Sequence, residues 1–237
     1  MTLQEIFDQL TYGELSQLSI GGGEAGVINS VNYVRVVPHV NLALIALYKR
    51  FSLKEGRLTL TPVIDQTLYS IHSDEVGGYL LDTEELPFTD DILKIEHVLT
   101  DDGVDIPLND AAHKYSITTP TSTLLRIPLD IVNQVQDLPD WLQTVKLELL
   151  YRANHPKIGK VTNPKQIDIE LPDTHLEPLL LFIAARMMTP LGVGQFEGLA
   201  GNNYMAKYEM ACQFLETKGL QIDQGSQTSR LRDKGWA

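Results

Sequence analysis

The chain has 237 residues, enough to bury a sizeable core as one domain or as two closely packed halves. Its formal net charge of -12, with lysines and arginines scattered along the chain, argues against the large positive surface that wrapping nucleic acid requires. Its one cysteine, Cys212, excludes an intramolecular disulfide and a thiolate zinc site, and no apolar run reaches the roughly 18–20 residues of a membrane span.

No basic stretch leads into an apolar run and a small-residue cleavage site at the N-terminus, so the expectation is a protein made and kept in the cytosol. Thr2-Leu3-Gln4-Glu5 fits a capping box, with Thr2 accepting from the Glu5 amide and Glu5 reaching back. The helix it opens carries Ile6 and Leu10 on one face and ends near Gly13 or runs on to about Leu18. Gly21-Gly22-Gly23 has no strand before it and no Lys-Ser/Thr after it, so it reads as a turn and not a phosphate loop. Over 30–51, Val40, Leu44, Leu47 and Phe51 recur at helical spacing. Pro38 there either opens a second helix or kinks a longer one. Lys49 and Arg50 suit the negative helix end, and Gly56 closes it.

Strand character follows. Residues 57–61 alternate, with Leu58 and Leu60 on one face and 68–71 as a plausible partner. After an acidic stretch with bends at Gly77-Gly78 and Pro87, residues 92–98 read as a strand, and Asp101-Asp102-Gly103 as a turn. Further strands are expected at 116–119, 123–127 and 145–151. Residues 154–172 hold three prolines and form a long connection.

The closing helices are apolar on more than one face. Asp173 or Thr174 is placed to cap the first, with Pro178 near its start. Leu176, Leu179, Leu180, Ile183, Ala184 and Met187 form its stripe, while Leu181, Phe182, Ala185 and Met188 lie outside it. Either this helix is sandwiched inside the monomer or its far face meets another subunit. Covering two such side chains is worth roughly 3–6 kcal/mol before ordering costs. The last helix runs from about Gln195 to Lys218 with Tyr204, Tyr208, Ala211 and Leu215 in register, widened by Met205, Cys212 and Phe214. The final residues, 219–237, are polar and end mildly basic. Trp236 stands out there, either as part of a frayed end or as an anchor that docks into a neighbouring protein.

No chemical constellation emerges. The six histidines, His39, His72, His97, His113, His155 and His175, include no pair at metal-binding spacing on one element. Asp101, Asp102 and Asp105 open like a calcium loop, but position twelve is Ala112. There is no Gly-x-Ser-x-Gly elbow. The residues therefore assign no catalytic side chain, no cofactor and no metal ligand. The expectation is a non-enzymatic part of an assembly.

The order of segments resembles the adaptor (head-to-tail connector) family of short-tailed bacteriophages, the group that includes the tubular tail protein A of T7-like phages. The likeness lies in an N-terminal helix and a helix ending in Leu47-Tyr48-Lys49-Arg50-Phe51, then Arg57-Leu58-Thr59-Leu60-Thr61 and a β-rich insertion. Ile183-Ala184-Ala185-Arg186-Met187 and a long helix around Tyr208-Glu209-Met210-Ala211 complete it. The insertion is longer than in the smaller adaptors. The resemblance implies an α+β fold: a helical bundle (1–56 and 173–218), an inserted β-rich domain (57–172) and an extended C-terminal tail (219–237). It implies a homo-oligomer, a dodecameric ring at the head–tail junction of a virion. The ring would bind portal protein above and tail nozzle below, with DNA passing without specific binding and no membrane involved. Leu181, Phe182, Ala185, Met188, Tyr204 and Tyr208 would make ring contacts. Gln221, Gln224, Arg230, Arg232 and Trp236 would clasp the portal. The alternatives are another tail-completion or baseplate-type subunit and, more distantly, an intracellular enzyme.

Overall fold

The computed structural model of the protein describes residues 1–20, 23–82, 87–133, 146–188 and 197–218, with side chains from 203 onward in the last segment. They form a mixed α+β fold with two antiparallel sheets. In chain order come α1 (Leu3–Tyr12), α2 (Tyr33–Arg50), β1 (Glu55–Leu60), β2 (Leu68–Ser70), β3 (Leu80–Leu81) and β4 (Ile92–Thr100). Then follow β5 (Thr118–Thr121), β6 (Leu124–Arg126), α3 (Leu129–Val132), β7 (Leu147–Ala153), α4 (Leu176–Met188) and α5 (Glu197–Thr217). The described residues of Met1–Leu53 and His155–Ala237 make one compact unit, the helical unit, and those of Lys54–Asn154 make the other, the sheet unit.

In the helical unit, α1 opens with its capping box: the Glu5 amide donates to Thr2 Oγ1 at 3.3 Å and the Thr2 amide to Glu5 Oε2 at 3.0 Å. Leu3, Ile6, Phe7 and Leu10 are buried, and the helix stops at Gly13 instead of continuing to Leu18. α2 is a single helix with Pro38 inside it, its Val40, Leu44 and Leu47 buried together with Phe51 just beyond. Pro38 removes the amide that would reach the Val34 carbonyl. Both residues are exposed, so water can take that carbonyl. Gly56 does not close α2. The Phe51 amide does so, donating to Leu47 O at 2.7 Å.

Residues 155–171, expected in the β-rich insertion, belong to the helical unit. The Tyr48 hydroxyl donates to the Glu170 carbonyl. Asn41 brackets Ile158, donating from Nδ2 to its carbonyl and accepting its amide at Oδ1, both at 2.9 Å. Asp173 and Thr174 do not cap α4. They lie in a 3-10 turn, Asp173–His175, that runs directly into it behind Pro172. α4 packs against both α2 and α5, so Leu181 and Ala185 are buried along with Leu179, Leu180, Ile183 and Ala184. Phe182 and Met188 on the same helix stay half-buried.

The sheet unit holds a four-stranded sheet in the order β3-β1-β7-β4 and a three-stranded sheet in the order β2-β6-β5, all antiparallel. The expected pairing of 57–61 with 68–71 does not occur. β1 pairs over its full length with β7, Glu55 opposite Arg152 through Leu60 opposite Leu147, whereas β2 pairs with β6. β7 alternates strictly between buried and half-buried positions, so it matches β1 on both its core face and its ladder, while β2 offers only three residues. Gly56 belongs to β1. A Cβ there would stand 2.1 Å from Tyr151 Cζ, so glycine is what lets the Tyr151 ring lie across the strand. One cluster of buried residues, including Leu58, Tyr69, Ile95, Ile117, Leu125 and Leu149, joins both sheets into a shared core.

Candidate functional site

Two apolar surfaces of the helical unit lack cover among the described residues. The first is a groove of about 900 Å³ between α2 and the extended segment 157–161. Val34, Pro38, Leu42 and Ile45 line it from the helix and Val161 from the segment, with Lys157 and Lys160 as its charged lining residues. Val34 is 76% exposed and Leu42 41%. The Asn41 bracket on Ile158 fixes the far wall: one amide side chain stands in for a strand partner and ties the segment to α2.

The second surface lies along α4 and α5, in a groove of about 780 Å³ lined by Pro178, Leu181, Met210 and Phe214, with Glu177 and Lys207 also in its lining. Tyr208, Cys212 and Leu215 turn inward, one every four or three residues, and Met210 and Phe214 are left outside at 69% and 58% exposure. Arg50 holds α5 to the end of α2, its Nη1 2.6 Å from Glu209 Oε2 and its Nε 2.7 Å from Glu216 Oε1. That guanidinium keeps the Glu216 carboxyl below the usual range. Burial pushes the Cys212 thiol up, which suits a packed residue and not a nucleophile.

The residues expected at ring contacts divide. Leu181, Ala185 and Tyr208 are buried within the chain. Phe182, Met188 and Tyr204 are half-buried, Phe182 edge-on to Tyr208 with centroids 5.1 Å apart and Tyr204 donating to the Glu14 carbonyl at 3.4 Å. Gln221, Gln224, Arg230, Arg232 and Trp236 lie outside the described residues. The α2 groove was missed in the sequence although its signal is there: Val31, Val34, Pro38, Leu42 and Ile45 recur at spacings of three and four, a second stripe beside the buried one.

Among the described residues no three histidine, cysteine, aspartate or glutamate side chains gather as a metal site would require. No helix among them is long and apolar enough to cross a membrane. No protein-family model matches the chain, and no curated protein matches it.

Proposed function

We propose that this protein is a structural subunit, assembled through the helical unit, and that it serves as an adaptor ring joining a phage portal to the tail nozzle around a DNA channel. The observation that carries assembly is the pair of unlike apolar surfaces: the α2 groove, and the Met210–Phe214 edge of α5. A monomer gains nothing from keeping such surfaces wet, and apolar grooves on a surface are where a neighbour can bind. Because the two surfaces differ, contact of one with the other is head-to-tail, the kind that closes into rings. The narrower identity, with a helical bundle, an inserted β-rich domain and a portal-clasping tail, is supported by the resemblance in segment order.

The test is assembly of Val34→Asp (V34D) and Phe214→Asp (F214D). Both side chains are exposed, so each variant should fold as the parent does by circular dichroism. Each should sediment as a monomer under conditions in which the parent forms rings in electron micrographs. Rings formed undiminished by both variants would refute assembly through these surfaces, and parent particles without a channel would refute the adaptor.

A further inference from the structure

Three of the six histidines lie in each unit, and the two sets sit in opposite surroundings. In the sheet unit, His72 Nδ1 stands 3.2 Å from Asp90 Oδ1 and His97 Nδ1 stands 3.1 Å from Asp105 Oδ2, both rings exposed. His113 accepts the Tyr115 amide in a surface turn at 3.3 Å.

In the helical unit the geometry favours neutral rings. His175 is 1% exposed and edge-on to Phe51, centroids 4.7 Å apart. Its Nδ1 lies 3.0 Å from Thr174 Oγ1, and its Nε2 has no hydrogen-bond partner among the described residues. An imidazolium donates from both nitrogens, so a proton there would bury a donor with nothing to accept it. His39, on α2, encloses an Nδ1 that likewise has no partner among the described residues, and Arg186 at the end of α4 lies close enough to oppose a second positive charge. His155 accepts the Glu170 amide at Nε2 (3.3 Å), with Nδ1 2.6 Å from the Pro156 carbonyl. An amide only donates and a carbonyl only accepts, so that ring holds its single proton on Nδ1.

The first two residues share one interface. His39 near the start of α2 faces Arg186 at the end of α4, and Phe51 after the end of α2 faces His175 before the start of α4. The helices are antiparallel, with a histidine at each end of their contact. We infer that this contact is an acid-sensitive latch: protonation of His39 and His175 parts α4 from α2 and opens the helical unit, while the sheet unit stays folded. The inference does not depend on the assembly proposed above.

Burial lowers the titration point of His175, and burial together with Arg186 lowers that of His39, both from the ordinary 6.5 of an open chain. The open state therefore takes protons first. The stability from the neutral rings is intact above pH 6.5 and falls as the pH drops through that value. Groups facing His175 are the Phe51 ring from α2 and the Thr174 hydroxyl, and only desolvation acts on its charge. His155 has both ring nitrogens engaged, by the Glu170 amide and the Pro156 carbonyl, so the latch is assigned to the other two. In the sheet unit burial holds the Asp91 carboxyl above its usual range, so acid favours that fold at this position.

Hydrogen exchange of the full chain at about pH 7.5 and about pH 5, corrected for intrinsic rates, resolves the two units. The amides of α2 and α4 should lose protection severalfold at the lower pH, while those of β4 and β7 keep theirs. No loss in α4, or equal loss in both units, would overturn the latch. The double variant His39→Gln with His175→Phe (H39Q/H175F) should move the acid midpoint of the helical unit to lower pH. An unmoved midpoint overturns the assignment to these rings. If the buried substitution prevents folding, H39Q alone, at a half-exposed site, should move the midpoint part of the way, and a midpoint that stays in place overturns the assignment equally.

Discussion

The two units handle polar side chains and apolar surface differently. In the sheet unit three tyrosine hydroxyls, those of Tyr69, Tyr79 and Tyr151, find backbone or carboxylate partners. Tyr69 Oη accepts the Val63 amide at 2.9 Å and lies 2.7 Å from the Gln66 carbonyl, Tyr79 Oη meets both the amide and the carbonyl of Ser70, and Tyr151 Oη donates to Asp91. Its most exposed aliphatic among the described residues, Ile64, sits on a loop braced by Tyr69 and by the Asp65–Asn133 hydrogen bonds. The helical unit instead encloses two imidazole nitrogens without partners among the described residues and leaves Val34, Met210 and Phe214 in water. The sheet unit also encloses one such atom, Asn154 Oδ1, without a partner among the described residues. What sets the helical unit apart is that two of its unpartnered atoms belong to titratable rings, where taking a proton changes the free energy.

The sharpest way to break that contrast is to damage the sheet unit where a glycine meets a ring. Gly56→Ala (G56A) puts a Cβ 2.1 Å from Tyr151 Cζ and 2.4 Å from its hydroxyl oxygen. The ring must swing off the strand and abandon Asp91. Overpacking of this kind should destabilise the sheet unit by about 3 kcal/mol, read as a lower urea midpoint of the sheet signal. Hydrogen exchange in α2 and α4 should not change. If protection there falls in step, the two units unfold as one and the comparison loses its basis.

A smaller effect is expected from Tyr69→Phe (Y69F). The ring and its packing against Tyr79 remain, but the Val63 amide and the Gln66 carbonyl lose their partner in a partly buried loop. The cost should be about 1–2 kcal/mol, measured by thermal denaturation. Faster exchange confined to 61–68 would show that the hydroxyl is what braces this loop. Unchanged exchange there would mean that the Asp65–Asn133 pair is sufficient.

Legibility in the sequence followed the range of the interaction. The Thr2–Glu5 box, the β7 alternation and the turn at Gly103 were visible because each depends on residues a few positions apart. The pairing of β1 was misjudged because its partner lies about ninety residues away, as the Glu55–Arg152 register shows, and no local pattern selects β7 over β2. The surplus on the two closing helices was legible as apolar content, and part of it stays exposed at Met210 and Phe214 of α5. A stripe tells that a face is apolar, not which neighbour covers it: α2 and α5 cover α4, and the uncovered area passes to them. The Val34–Leu42 stripe was readable at the same spacing as the buried one and was overlooked beside it. Gly56 could not be understood locally, since the ring that requires it comes from β7.

The smallest change tests whether the acid response belongs to histidines at all. Arg50→Gln (R50Q) removes both ion pairs to α5. These pairs are partly exposed, so the loss in stability should be about 1 kcal/mol by chemical denaturation. Its pH signature is distinct. Arg50 holds Glu216 below the ordinary 4.5, so that pair contributes above pH 4.5 and is lost as the pH falls through the lower folded value. The variant should therefore flatten the stability profile of the helical unit only below about pH 4.5, leaving the descent that begins near 6.5 in place. Should R50Q abolish the upper descent as well, the difference between the units would reduce to one ion-pair cluster, and the neutral rings at the two ends of the α2–α4 contact would be passengers in it.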